Sequence, residues 1–318
     1  MRKQLRIGTR ESQLAVWQAT LVQQLLAKNN ISSELVFIKS EGDIDLQTPL
    51  YELGVQGIFT KTLDIALLTD KIDIAVHSMK DVPTQLAKGI AQAAVLERAS
   101  YKDVFVYKDQ DAIEQWQLSD VSDNNLSFSG AGLIATSSIR RKAQWLNRYP
   151  QHTFENLRGN VNTRLRKVTE SNWHGAIFAA AGLERINLRP ANAIDLDWML
   201  PAPAQGAIMV VCRDGDGFIK EACEPFNHED TAICTKIEKD FLRTLLGGCS
   251  TPISALAQIN DSKIVFRGNI LSVDGKEKVE IEKSSEVINA EGLGNIAANE
   301  MLQNGAKKIA DAIQHGAK

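Results

Sequence analysis

The residues best placed to do chemistry begin in the stretch Ile72 to Pro83, IDIAVHSMKDVP. Ile74, Ala75 and Val76 have the character of a strand buried on both faces, as in a parallel sheet. His77, Ser78, Lys80 and Asp81 crowd directly after it, and Pro83 keeps a helix from simply running on. Ligands of open α/β sheets bind beyond the carboxyl ends of the strands, so Asp81 is the first candidate for acid–base or electrostatic work. A turn aspartate beside a lysine is the plainer alternative.

A second concentration is TSSIRR, Thr136 to Arg141. If Ser137 or Ser138 caps a helix, Arg140 and Arg141 stand in its first turn, where the macrodipole disfavours a cation by roughly 0.3–1 kcal/mol each. An anion held by the free N–H groups, the hydroxyls and both guanidinia would reverse that sign. Arg158 and Arg164 in LRGNVNTRLR repeat the arrangement, Arg10 repeats it after the first strand, and Arg185 follows the small-residue run AAAG. Arg148, Arg166 and Arg189 read as surface charges. From Ser137 to Pro190 there are ten Lys and Arg against three acids, and eight of the ten are Arg, whose planar fork matches carboxylate or phosphate.

Cys249 is the third place. It sits in LLGGCSTPIS, past a helix end and on a glycine-loosened loop, whereas Cys212 and Cys234 lie inside apolar runs suited to structural cysteines. Its thiol reads as a nucleophile, an attachment point or an incidental loop thiol.

These groups need strand ends and helix starts to hold them. Leu5 to Gly8 reads as a strand and Ser12 as the N-cap of a helix bearing Leu14, Trp17, Leu21 and Leu25 on one face. Glu34 to Ile38 and Ile72 onward supply further strands, with a helix over Phe59 to Leu68 between them, so β, α, β, α, β predicts parallel pairing. Glu97 to Lys102 is a charged junction suited to a hinge. A second βα series starts at Leu133, with helices from Ile139 and Val161 and strands near Thr153 and Ala176. Ala207 to Cys212 is a strong return strand. A long helix from about His228, ended by Gly247 and Gly248, leads to three strands and closing helices broken near Asn304 and Gly305, an α+β pattern.

With 318 residues the chain should form two or three domains. Apolar content of 44% and charged content of 24%, with no run approaching a membrane span, fit a soluble protein, and the N-terminus lacks an apolar signal core, which points to the cytoplasm. The four cysteines are too scattered for a metal knuckle, so no metal is expected. A nucleic-acid reader is disfavoured because the arginines sit at element junctions and not along one face with interleaved aromatics.

HSMKDVP, TSSIRR, LRGNVNTRL, AAAGLERI, PAPAQGA and GGCSTPI stand in the order and spacing of the porphobilinogen deaminase (hydroxymethylbilane synthase) family, which the chain resembles over nearly its whole length. The resemblance implies two periplasmic-binding-protein-like βα domains flanking a cleft, residues 1–99 plus 200–222 and 103–198, and a small α+β domain over 226–318. It implies a dipyrromethane cofactor on Cys249 through a thioether and Asp81 as the catalytic carboxylate. Arg140, Arg141, Lys80, Ser78, Thr136, Ser138 and Arg158 would bind the cofactor; Arg10, Ser12, Arg158, Arg164, Arg185 and Gln205 would bind the substrate, porphobilinogen. Four substrate molecules would be joined head to tail and released as a linear tetrapyrrole by a cytoplasmic monomer with no nucleic-acid or membrane partner. A two-lobed solute-binding or effector-sensing protein is the alternative. Gln47, Gln56 and Ala204 depart from residues common in the family, where Asp, Lys and Gly are usual.

Overall fold

A computed structural model describes residues 4–39, 60–108, 131–245 and 251–316 of the chain. In the first sheet β1 (Leu5–Thr9) pairs in parallel with β2 (Ser33–Phe37) and β3 (Ile74–Ser78), the connections carrying the helices Gln13–Lys28 and Lys61–Leu68. A late strand, β10 (Ile208–Arg213), enters antiparallel between β3 and β4 (Ile90–Val95), giving the order β2-β1-β3-β10-β4. Its sequence IMVVCR is apolar almost throughout because both faces are covered.

The second sheet repeats the plan. Parallel β6 (Leu133–Ala135), β7 (Thr153–Glu155) and β8 (Gly175–Ala179) are joined through the helices Ile139–Arg148 and Val161–Glu170. Here the antiparallel insertion is β5 (Asp103–Tyr107), beside β8 and the short β9 (Ala193–Asp195), and the order is β7-β6-β8-β5-β9. The third sheet is an antiparallel meander of β11 (Ile253–Asn260), β12 (Lys263–Leu271) and β13 (Lys278–Glu286), with Gly275 at φ +75° in the last turn. Its inner face packs on the helices Glu229–Thr244 and Leu293–Met301, with the Phe241 and Phe266 rings 5.0 Å apart. The long helix is described to Thr244, and the expected glycine stop at Gly247 and Gly248 lies outside the described residues.

The helix Gln13–Lys28 forms as the spacing of Leu14, Trp17, Leu21 and Leu25 predicts; its fully buried residues are Gln18, Ala19, Val22 and Leu26, and Leu21 and Leu25 pack, partly buried, at the edge of the same core. Trp17 stays 36% exposed and meets the Arg185 guanidinium, 5.7 Å from its ring centre.

The junction Glu97 to Lys102 runs from β4 to β5 beside the returning segment Ala202 to Gly206. Ala99 N–H donates to the Gly206 carbonyl at 3.1 Å, and a side chain at Gly206 (φ +87°) would meet the carbonyls of Ala99 and Ser100 at 2.7 Å. Both crossovers are tied to the third unit by Glu238, whose wholly buried carboxylate accepts from both terminal nitrogens of Arg98 (2.7 and 3.0 Å), Ala204 N–H (2.6 Å) and Ala257 N–H (2.7 Å). Glu238→Ala leaves a guanidinium and two amides without their acceptor, so it should cost about 3–5 kcal/mol and lower the apparent melting temperature sharply. Lys307→Ala, which breaks an exposed pair with Asp311, should shift stability by no more than about 0.5 kcal/mol, and paired thermal melts would read both.

Candidate active site

β3 delivers its polar residues through one 3-10 turn, Met79–Asp81. Met79 N–H bonds the Ala207 carbonyl, the Met79 and Val82 side chains are buried, and Lys239 of the long third-unit helix bonds the Val82 carbonyl. A rigid turn therefore holds Lys80 and half-buried Asp81 at the carboxyl end of the strand. Lys80 Nζ donates to Gln205 Oε1 at 3.4 Å. Burial pulls the Lys80 ammonium down to about 8; Asp81 and Asp103 resist that change, while Arg141 and Arg140 add to it.

In the second sheet, Ser138 caps the helix Ile139–Arg148 by accepting from Arg141 N–H at 3.4 Å, and Thr136 Oγ1 accepts from Ser138 N–H at 3.2 Å. Arg140 and Arg141 are buried, as an anion site at a helix start demands, yet the anion they meet is internal. Asp103, at the head of β5, takes Arg140 Nη2 at 2.7 Å and Arg141 Nε and Nη2 at 3.0 and 2.8 Å. Gln205 Nε2 donates to the same carboxylate at 2.9 Å. Burial alone would raise Asp103, but the two arginines and the Gln205 hydrogen bond outweigh it and hold the carboxyl at about 2. Asp103 escaped the sequence reading; its signal was an acid opening the apolar run DVFVY in a chain whose buried arginines lacked a partner.

Asn160 caps the helix Val161–Glu170, accepting from Thr163 N–H at 3.0 Å, and Arg164 Nε donates to the Gly159 carbonyl at 2.7 Å. Burial pulls Arg164 down to about 10, Arg141, Arg158 and Arg10 press the same way, and Asp81 opposes them. The charges that act on Arg164 thus include Arg10, from the end of β1, and Asp81, as well as Arg141 and Arg158 on the side of the second sheet, so the two sheets bring these groups near one another. Other candidates already have local work. Ser12 caps the first helix, Ser78 Oγ accepts from Gln18 Nε2 at 2.9 Å, and Arg185 donates to the Gly206 carbonyl at 2.7 Å in the crossover. Cys249, Gln47 and Gln56 lie outside the described residues. Cys212, Cys223 and Cys234 are buried free thiols, and burial raises all three, the last two to about 12, so none is a nucleophile at neutral pH.

The donor set fits a polycarboxylate. Arg140 and Arg141 share one carboxylate and turn their Nη1 groups to the Leu200 and Ile177 carbonyls, Arg140 Nε is buried with no partner, and the guanidinium of Arg164 is crowded by like charges that an incoming anion would relieve.

Comparison with known sequences matches residues 5–221 to "Porphobilinogen deaminase, dipyromethane cofactor binding domain" and residues 232–303 to "Porphobilinogen deaminase, C-terminal domain". The chain belongs to the porphobilinogen deaminase family. Porphobilinogen deaminase of Pelobacter propionicus is 38% identical over 98% of this chain and 97% of its own. That of Syntrophotalea carbinolica is 39% identical over 97% and 96%. Among solved structures, a periplasmic substrate-binding protein of an ABC transporter from Coxiella burnetii covers 70% of this chain and 91% of its own at TM-score 0.43 and 12% identity. The cofactor of the family's larger domain is dipyrromethane.

The departure at Ala204 has a physical reading. Its backbone is left-handed at φ +62°, where a Cβ costs roughly 1–2 kcal/mol. Glycine would relieve that strain but lose a buried methyl worth about 0.8 kcal/mol and about 0.4–1 kcal/mol through the freer unfolded chain. The near balance explains how alanine is tolerated.

Proposed function

We infer that this protein is a hydroxymethylbilane synthase, a transferase that deaminates four porphobilinogen molecules, joins them head to tail and releases the linear tetrapyrrole by hydrolysis. In a chain of this family, the observation that carries the reading is Asp81 on a fixed turn, facing a wall of arginines presented by the second sheet. Cys249 would hold the dipyrromethane as a thioether, and the bound group would supply a primer with a free, nucleophilic α-carbon. Arg140, Arg141, Arg158 and Lys80, with the hydroxyls of Ser78, Thr136 and Ser138, hold carboxylates on the primer side. Arg10, Ser12, Arg164 and Arg185 serve the incoming substrate; Gln205, also expected there, is 1% exposed with both ends of its amide engaged, and acts through Lys80.

Loss of ammonia from the aminomethyl group of porphobilinogen breaks a C–N bond and leaves an electron-poor azafulvene cation. Asp81 stabilises that cation and its pyrrole N–H, helps a proton reach the departing amine, and receives the proton lost when the new C–C bond restores the pyrrole. Each ring adds two carboxylates, which is why guanidinia come from both sheets. The division into residues 1–99 plus 200–222, 103–198 and 226–318 belongs to this reading, and the three separate sheets support it. So does a cytoplasmic monomer without nucleic-acid or membrane partners; among the described residues no helix is long and apolar enough to cross a membrane. A solute-binding protein would leave the third unit without a task.

Purified protein given porphobilinogen should release four ammonia per linear tetrapyrrole, and its intact mass should exceed that of the bare chain by one covalent dipyrromethane. A bare, folded chain that leaves porphobilinogen unconsumed would overturn the reading.

A further inference from the structure

Lys80 and the arginine pair belong to different sheets, yet one continuous line of hydrogen bonds joins them. Lys80 Nζ donates to Gln205 Oε1. The other end of that amide donates to Asp103 Oδ1 at 2.9 Å and to the Tyr101 carbonyl at 2.8 Å, and Asp103 clamps Arg140 and Arg141. Gln205 is 1% exposed and Asp103 wholly buried, so neither group is there to be solvated. A buried carboxylate among this many donors is costly to place and over-determined in orientation.

We propose that Asp103 is a positioning residue of the reaction: it clamps Arg140 and Arg141 directly and, through Gln205, keeps Lys80 as a fixed cation facing the carboxylates of the growing chain. The inference deepens the proposed function and rests on it. Asp103 takes Nη2 of Arg140 and Nε and Nη2 of Arg141, while the Nη1 groups donate to the Leu200 and Ile177 carbonyls at 2.7 and 3.0 Å, so the pair is fixed in orientation and Arg140 Nε is left without a partner. Among the described residues, the charged groups around Lys80 are Asp81 on its own turn, Asp103 on β5, and Arg140 and Arg141 on the helix Ile139–Arg148; Gln205 adds a neutral acceptor. Two carboxylates favour the ammonium against burial and two arginines. Without the Asp103 charge, one carboxylate faces both arginines, so the ammonium should discharge at lower pH.

The test is competitive acetic anhydride labelling of Lys80 in the holoenzyme between pH 6 and 10, read by peptide mass spectrometry, for wild type, Asp103→Asn and Asp103→Glu. Asp103→Asn should lower the labelling midpoint by about one pH unit, and the alkaline limb of kcat/KM should move down with it, while Asp103→Glu should restore both in part. Gln205→Met, which cuts the bridge without changing a formal charge, should also lower the midpoint and serves if Asp103→Asn does not fold. An unchanged Lys80 midpoint in either folded variant overturns the inference. Labelling needs no turnover, so failure here is distinct from failure of the assigned activity.

Discussion

Asp81→Ala should cut kcat by roughly a thousand- to ten-thousand-fold while leaving the fold intact. The carboxylate is half-buried on a turn held by Met79 N–H, the buried Val82 side chain and Lys239, and these contacts survive its removal. What disappears is the anion facing Arg164 and Lys80 where the substrate becomes a cation. Left alone with guanidinia, a developing azafulvene is repelled instead of stabilised, and no preorganised base remains for the proton at the new ring junction. Asp81→Asn keeps the shape and should lose nearly as much. Asp81→Glu keeps the charge but moves it by about 1 Å, which should cost on the order of a hundredfold. Single-turnover kinetics with circular dichroism separates these outcomes, and Asp81→Ala within tenfold of wild type would mean that another group carries the charge.

The parts of this site that could be read from sequence are those governed by local rules. The end of β3, the caps at Ser12, Ser138 and Asn160, and the arginines at helix starts follow from strand length, capping and proline, all within a few residues of one another. Misfitting charge was also legible: two arginines in a first helical turn demanded an anion. The identity of that anion was not, because Asp103 meets them only after β5 inserts antiparallel beside β8, across 37 and 38 residues of sequence. Glu238 is still less visible, since its partners Arg98, Ala204 and Ala257 come from three parts of the chain. In the helix Gln13–Lys28 the spacing predicted the element, while the centre of its buried face, at Ala19, Val22 and Leu26 with Leu21 and Leu25 at the edge, was set by the sheet beneath.

Those long-range contacts also bear on how one site can serve successive additions. The third unit is bound to the first sheet's neighbourhood through Glu238 and Lys239. It meets the second sheet's helix Ile139–Arg148 through Gln144 Nε2 to Ser254 Oγ at 3.0 Å and Asn147 Nδ2 to the Gly275 carbonyl at 2.7 Å. Among the described residues the first attachment includes a buried ion pair and the second only neutral hydrogen bonds, so, for these contacts, separation on the side of the second sheet costs less.

Cys249→Ser should yield a folded protein with no covalent pyrrole and a rate at least about ten-thousand-fold down, since a tether worth an effective molarity of about 10^5 M or more is lost. A serine ether is not equivalent, because the hydroxyl is far less nucleophilic than a thiolate and would not capture the primer. The remaining cysteines make the wild-type tether countable. Cys212, Cys223 and Cys234 are buried with raised pKa values and should resist iodoacetamide in the native state. If Cys249 is a thioether, native holoenzyme takes up no label and denatured holoenzyme takes up three, from a chain with four cysteines. Rapid native labelling at Cys249, or four labels after denaturation, would place the cofactor elsewhere. The serine variant should match the holoenzyme count of three while lacking the added mass, which separates loss of the tether from loss of the thiol.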